Sequence, residues 1–598
     1  MTVIVKNAGK FEGVHYAENQ IVTSTADIES RMINDGFAKF YQPVKGLDGQ
    51  NAWRVIGQES SMPKAAGTWR LLGSKNTRVM THRLNKVLFS HSFQFGVGES
   101  MKAVNAGTTN GNGLVHASLI HNGVAYPTYV AKLVGVDDNG NAIMEKVNLR
   151  DATADYGSAC YLIAELPYFL EPGDSYVESV MCYQNAHNDS GAGATLAGQF
   201  MNYTNKTRGK DKFYRHNSTD PVVIEAWKTW ADSADLDAVP TGAVTVTING
   251  VVTADQPIGW KAHSVIGWVD ASTVSVFSAG DSREHGQDNG ATSTTDPGLD
   301  IYGNNGEASH IFRNICNVGI QTEKAGDITD ASKFKRSEFS VFCNVGLFGY
   351  GINDLNQAGS AITKENTSVS TYKQLVDAIK SYVKPFNVWL CKTISPSVTS
   401  SNYLIDIAGQ SPQVATAIRR INGAIRRGLV GNDGYVEVHN AVAPSPDACI
   451  YKVLPQSRMV NTGTLTLSSV AATTDDAAYI LATASSNIFN RDDNFLKGVI
   501  KGIATGSAIP ATDLKFLMEY ISAAQVKVWL RGTKDNPVPY PTSWINGSLP
   551  LVVTLSANPL YIGADHYCDS SNTGYIHLSP EGEEQVTIAN RQLDLPRI

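Results

Sequence analysis

Val274-Ser275-Val276-Phe277-Ser278-Ala279-Gly280-Asp281-Ser282 is an apolar run that ends on a glycine and then presents a serine. Val274, Val276 and Phe277 read as a buried strand. Downstream the pattern alternates. Phe339 to Gly346 reads as a second strand and Thr371 to Val383 as a helix with Tyr372, Leu375, Val376, Ile379 and Val383 on one face. Asn387 to Thr393 is the next strand. Ser411-Pro412 opens a helix that Gly428 stops, and Tyr435 to His439 is a further strand. Alternation of this kind implies a parallel sheet covered by helices.

The remaining chain is organised around this region. With 598 residues it is too long for one core and is multidomain. Residues 1–58 read as a small N-terminal module, with a strand from Val3 and a helix over Thr25 to Phe40. Residues 59–268 read as β-rich. Asn122-Gly123, Asn139-Gly140 and Asn249-Gly250 are turn signals, the last between two runs of β-branched residues, and a β-sandwich is expected. Residues 269–452 carry the strand–helix alternation. Residues 453–560 interrupt it as an insertion or accessory lobe, with a strand over Thr464 to Val470 and helices over Phe495 to Ile503 and Leu514 to Ala524. Residues 561–598 resume the α/β region.

Composition narrows the function. Charged residues are 18% of the chain, which suits turn-rich β structure better than a helical bundle. The net charge of −7, with no basic stripe, argues against a nucleic-acid partner. Arg419, Arg420, Arg426 and Arg427 fall on one expected helix and read as a solvated face. Seven scattered cysteines with no C-x-x-C pair indicate neither a disulfide framework nor a zinc site. No segment has the ~18 apolar residues of a membrane span, and no secretion signal is expected at the N-terminus.

Three short motifs carry chemistry. Gly280-Asp281-Ser282 places a hydroxyl at a strand end, where the serine's own N–H faces any charge that develops on a bound carbonyl. Gly351-Ile352-Asn353-Asp354 offers a side-chain amide after the next strand, although Gly-x-Asn-Asp is also ordinary turn chemistry. His577-Leu578-Ser579-Pro580-Glu581-Gly582 places an imidazole before a C-terminal helix. In this order they offer a nucleophile, an oxyanion donor and a general base. Asp281 and Asp354 read as local backbone partners. Arg283, Glu284 and His285 read equally as pocket lining or surface.

Residues 269–452 and 561–598 resemble the SGNH (GDSL-type) hydrolase superfamily, of the esterase type carried on bacteriophage tail spikes and fibres. The motifs just quoted carry the resemblance, together with Thr393-Ile394-Ser395-Pro396, Gln410-Ser411-Pro412 and Ile421 to Arg427. It implies a flavodoxin-like parallel sheet with flanking helices. It implies Ser282 as nucleophile, His577 as base, and the Ser282 and Gly319 N–H groups with the Asn353 amide as oxyanion hole. Gly319 follows Asn317-Val318; Asn304-Asn305-Gly306 is a rival match. The family places an aspartate three residues before the histidine, where this chain has Gly574. Asp569 is then the first candidate to orient His577 and Asp565 the second; a Ser–His dyad held by a backbone carbonyl is the third arrangement.

The expectation is a serine esterase removing O-acetyl groups from a bacterial surface polysaccharide. It requires no metal or cofactor and does not insert into a membrane. Residues 1–58 resemble an adaptor at the front of some phage structural proteins, which implies a virion location, other virion proteins as partners and, by analogy with tail spikes, a homotrimer. Tyr126, Tyr129, Tyr168 and Phe169 read as core aromatics, with sugar stacking as the alternative. Two other functions fit: a non-catalytic receptor-binding or virion decoration protein on the same scaffold, and a bacterial lipase or acylhydrolase.

Overall fold

The computed structural model describes residues 51–58, 71–92, 113–154, 159–184, 212–245, 264–280, 335–352, 368–381, 383–396, 412–448, 454–470, 479–503, 513–533, 536–539, 549–563 and 580–590, with short strands and single residues between and before them. The expected helix over Thr25 to Phe40 lies outside these residues except at the strand Ala38–Phe40, and the expected hairpin at Asn249-Gly250 lies outside them too.

Two antiparallel sheets form the β-rich region. One runs, in spatial order, Val124–Pro127, Gly113–His121, Ser175–Gln184, Leu71–Val79, Lys212–His216, Val244–Thr245, with Ala152–Ala154 added beside Gly113–His121. The other runs Ala142–Lys146, Tyr129–Val136, Ala159–Leu170, Leu84–Ser92, Ser264–Asp270, Asn51–Gln58. Side chains from both sheets meet in shared clusters: Phe89, Leu119, Ala164 and Tyr176 in one, and Leu72, Val115, Leu162 and Val180 in another. The region therefore begins before residue 59. Asn51–Gln58 pairs with Ser264–Asp270, so the boundary expected after residue 58 cuts a strand from its sheet. A sheet with two buried faces lacks the apolar–polar alternation that marks a strand from sequence.

Ala159–Leu170 shows why this sandwich is fixed to the rest of the chain. Side chains alternate along a strand. Leu162 and Ala164 enter the sandwich core, while Tyr161 and Ile163 join Phe339, Phe342 and Phe348 in a separate cluster with the α/β region. The Tyr161 hydroxyl donates to Glu338 at 2.7 Å. Buried Arg54 donates to Asn141 Oδ1 at 2.8 Å and the Ala271 carbonyl at 3.1 Å, and Lys384 to the Gly140 carbonyl at 3.1 Å.

The α/β region is a five-stranded parallel sheet. Its strands are β1 (Val276–Gly280), β2 (Ile315–Asn317), β3 (Val345–Gly349), β4 (Val388–Lys392) and β5 (Gly434–Val436). Their spatial order is β2-β1-β3-β4-β5, all parallel. Every residue of β1 and β4 is buried, as expected of strands covered on both faces. Helices α1 (Ser368–Lys380) and α2 (Pro412–Arg426) cover one face: Tyr372, Val376, Ile379, Ile418, Ile421 and Ile425 pack with Phe277, Phe348 and Trp389. Gly428, with a φ of 69°, ends α2 as the sequence implies. On the other face Val276, Val345, Leu347, Val388 and Leu390 meet Leu578, Val586, Val499 and Tyr561.

Two expectations are corrected. Lys335–Phe342 is a 3₁₀ helix, and the strand starts only at Val345. Phe339, Phe342 and Cys343 recur at helical spacing, and all three are buried in the cluster that contains Tyr161. The expected helices of the lobe are strands, Lys497–Lys501 and Asp513–Ser522, in a nine-stranded sheet. Leu514, Leu517, Met518 and Ile521 satisfy a helical period, but Leu514, Phe516 and Met518 also satisfy a period of two. Antiparallel pairing with Gln525–Thr533 selects the latter. Val499 and Tyr561 then face the parallel sheet, while Ile500 and Leu560 face the lobe's own core.

Among the described residues, no helix is long and apolar enough to cross a membrane. Among the described residues, Cys160, Cys182, Cys343 and Cys391 are buried and in no disulfide.

Packing at β3 gives a direct test. A Cβ on Gly346 would lie 2.2 Å from Trp389 and 2.4 Å from Phe386, whereas one on Gly135 meets nothing within 4 Å. Gly346→Ala is expected to lower stability by about 1–3 kcal/mol and Gly135→Ala to change it by less than about 0.5 kcal/mol, read from urea midpoints.

Candidate active site

The order β2-β1-β3-β4-β5 reverses direction between β1 and β3. In open α/β sheets the crevice outside the carboxyl ends of the strands at such a point is where ligands bind. Register brings the ends of β1 and β3 to one level, and β2 ends two residues short of them. Gly280 pairs with Gly349, and Ser278 with Asn317. Ser282 follows the end of β1 by two residues, Gly319 follows the end of β2 by two, and Asn353 follows the end of β3 by four. Ser282, Gly319 and Asn353 themselves lie outside the described residues, as do Asp565, Arg283, Glu284, His285 and the rival Asn304-Asn305-Gly306.

The turn that leads to Asn353 is described. Gly351 has a φ of 117°, and a Cβ there would lie 2.9 Å from the Tyr372 ring. Glycine is required by both backbone and space. Its carbonyl accepts from the Leu355 N–H at 3.1 Å, and the Tyr372 hydroxyl donates to the Tyr350 carbonyl at 3.3 Å. Helix α1 thereby fixes the path of the chain after β3.

His577 and Asp569 are described as backbone positions. The short strands β6 (Cys568–Asp569) and β7 (His577–Leu578) pair antiparallel, and Asp569 stands directly opposite His577. Positions directly opposite on such a ladder share a face. Leu578 is buried against the parallel sheet together with Val586 of helix α4 (Pro580–Ala589), the first on one side of Ser579 and the second on the other.

Beyond β4 and β5 lies a polar network built on a carboxylate, Glu437, that no local motif announces. Glu437 follows β5, and Arg426 of α2 grips it with two bonds, 2.8 and 3.1 Å. The Thr393 hydroxyl donates to Glu437 at 2.8 Å and accepts from the N–H groups of Val438 and His439. Asn422 brackets Ile394, accepting from its N–H at 2.7 Å and donating to its carbonyl at 2.8 Å. Buried His439, in the short helix α3 (His439–Val442), donates from Nδ1 to the same carbonyl at 2.9 Å. Arg426 is therefore not part of a solvated face, contrary to the sequence reading. The only signal in the sequence is an acidic residue immediately after an apolar strand.

Burial pushes the Glu437 carboxyl up, but the bonds and charge of Arg426, then the Asn440 N–H and Thr393, hold it below its ordinary range. Burial pushes the His439 imidazole down.

The expected aromatics divide. Tyr126 and Tyr168 pack against the sandwich core with their rings 5.9 Å apart, and the Tyr168 hydroxyl lies 2.7 Å from His121 Nδ1. Tyr129 carries the Lys146 ammonium over its ring, and exposed Phe169 is covered by Arg83.

The chain matches no protein-family model and no curated protein. Among solved structures it is similar to a carbohydrate esterase family 2 enzyme with a carbohydrate-binding domain from Corynascus thermopiles (Myceliophthora fergusii), 11% identical, covering 65% of this chain and 90% of that one at a TM-score of 0.22. A salicylyl-acyltransferase of a tetracycline biosynthetic pathway is 12% identical, covering 62% and 76%, at 0.19. An acetyl xylan esterase of the rumen bacterium Butyrivibrio proteoclasticus is 9% identical, covering 65% and 87%, at 0.16. At these TM-scores the likenesses carry no argument, and the site is read from its own geometry.

The network fixes an acid response. Glu437 is depressed in the folded state, so its contribution is present above the ordinary glutamate value of about 4.3 and is lost as pH falls through its folded value. His439 is also depressed. Below about pH 6.5 the unfolded chain takes up that proton first, so stability again falls with pH. Urea midpoints are expected to drop between pH 7 and 4. Glu437→Gln is expected to lose about 1–3 kcal/mol at pH 7, with the gap to the parent narrowing below about pH 4.

Proposed function

We propose that this protein is a serine esterase whose nucleophile is Ser282, acting on ester groups, specifically O-acetyl groups, of a bacterial surface polysaccharide. The observation that carries the reading is that β1 and β3 end at one level, with neighbouring β2 ending two residues short of them. Three neighbouring strands end two to four residues before Gly319, Ser282 and Asn353, at the point where a doubly wound sheet opens its crevice. The Asp569–His577 rung adds a second support. It offers a carboxylate to the imidazole in place of the one missing at Gly574.

In this reading His577 removes the Ser282 proton as Ser282 attacks the ester carbonyl. The N–H groups of Ser282 and Gly319 and the Asn353 amide stabilise the oxyanion. His577 then protonates the departing sugar hydroxyl, and water, activated by the same imidazole, releases acetate from the acyl-enzyme. Asp569 fixes the tautomer and stabilises the imidazolium. The carrier in this proposal is a phage tail spike or fibre. Its support is the resemblance of residues 1–58 to an adaptor, and the homotrimer belongs to the same analogy.

p-Nitrophenyl acetate hydrolysis by the parent, Ser282→Ala, Asp569→Asn and Asp565→Asn tests the assignment. The parent is expected to turn over and Ser282→Ala to fall to background, with a loss of roughly 10³-fold in Asp569→Asn and little change in Asp565→Asn. The reverse order for the aspartates would transfer the orienting role to Asp565. Activity retained by Ser282→Ala would remove the assignment. Acetate release from O-acetylated polysaccharides then tests the substrate class; cleavage of lipid esters with no acetate release would point to an acylhydrolase.

A further inference from the structure

Asn590 is the residue immediately after α4, and the helix begins two residues after β7. Its side chain is 5% exposed and has every polar atom engaged. Oδ1 accepts from the Glu437 N–H at 2.9 Å, and Nδ2 donates to the Glu437 carbonyl at 2.8 Å. Nδ2 also donates to the Val586 carbonyl at 2.7 Å, and the Asn590 N–H to the same carbonyl at 3.1 Å. Among the described residues β5 is the last strand of the parallel sheet, so Glu437 follows an edge strand. The Asn590 carboxamide pairs with Glu437 as the peptide of a neighbouring strand would, and it caps α4 in the same stroke.

Apolar packing also attaches α4 to the sheet. Leu578 and Val586 bury against Val276, Val345 and Leu347. Such contacts hold the helix to the sheet, but they are non-directional and allow it to slide or turn about its axis. The paired bonds to Glu437 are directional. Glu437 is itself held by Arg426, Thr393 and Asn440, so the anchor is rigid.

We propose that Asn590 is a positioning residue for the general base: by locking the far end of α4 to the carboxyl end of β5, it sets where the His577–Asp569 rung sits relative to the end of β1. This rests on the assignment of His577 as base. Asn590 touches neither substrate nor reacting atoms in this scheme. Its effect is transmitted through the helix, where a displacement near 1 Å at the base costs about 10²-fold in rate.

The test compares Asn590→Ala with Asn432→Ala. Asn432 is equally buried and bonds the Ile425 and Gly434 carbonyls at the opposite, amino end of β5, at 2.9 and 2.8 Å. Both variants lose buried hydrogen bonds, so both are expected to melt earlier. Only Asn590→Ala is expected to lose about tenfold or more in kcat with KM within about twofold. The acid limb of its kcat/KM profile is expected to stay in place, since the His577–Asp569 rung moves as one unit. Asn590→Asp keeps the acceptor for the Glu437 N–H and loses the donor; it is expected to show the same selective loss in kcat, and it serves if Asn590→Ala does not fold. A parental kcat in the folded variants, or equal losses in Asn590→Ala and Asn432→Ala, would overturn the inference while Ser282→Ala stays inactive. Turnover that survives Ser282→Ala would overturn the reading of the site, and the inference with it.

Discussion

Parallel pairing of Val276–Gly280 with Ile315–Asn317 on one side and Val345–Gly349 on the other is the constraint on which the site depends. A serine hydroxyl, a backbone N–H and a side-chain amide can converge on one carbonyl only if the strands that deliver them stop together. Register brings β1 and β3 to a common end, with Gly280 opposite Gly349, and β2 stops within two residues of it, opposite Ser278. Tight packing preserves the register. β1 and β4 are buried along their whole length, and Gly346 leaves room for Trp389 and Phe386 with no space for a methyl group. The chemistry proposed for the loops thus depends on a rigid, dry sheet beneath them.

The two accessory regions are built onto that sheet through shared cores. The sandwich contributes Tyr161 and Ile163 to the cluster that holds Phe339 and Phe348. The nine-stranded lobe contributes Val499 and Tyr561 to the opposite face, where Leu578 and Val586 also lie. The lobe enters after β5 and leaves at Gly563, just before β6. Its two ends are tied: Arg458–Val460 pairs with Leu560–Ile562, and the Ser457 hydroxyl donates to the Gly563 carbonyl at 2.9 Å. An insertion of about a hundred residues can sit there because its ends return to neighbouring positions.

The sequence was most legible where one period held without competition. β1 is an apolar run with a glycine stop, and α1 and α2 carry their buried residues at helical spacing, so the alternation could be read directly. It was misleading where two periods fit the same residues. Leu514, Leu517 and Met518 satisfy a helix, and only pairing with Gln525–Thr533 selects the strand. The start of the sandwich was hidden because Asn51–Gln58 finds its partner at Ser264–Asp270, across more than two hundred residues. The positioning network was not legible at all. Asn590 and Glu437 are 153 residues apart, and nothing local distinguishes either from a surface residue. Asp569 lay between these extremes: the sequence offered it beside Asp565, and the β6–β7 pairing gives it the position opposite His577.

The central claim is that Ser282, two residues after β1, is the nucleophile and that His577 activates it. It is tested most directly by treating the protein with a fluorophosphonate ester and mapping the adduct by peptide mass spectrometry. The account predicts a single phosphonylated residue, Ser282, formed rapidly in the parent and at a greatly reduced rate in His577→Ala. An adduct on another residue, or none on Ser282 in the folded parent, would contradict it.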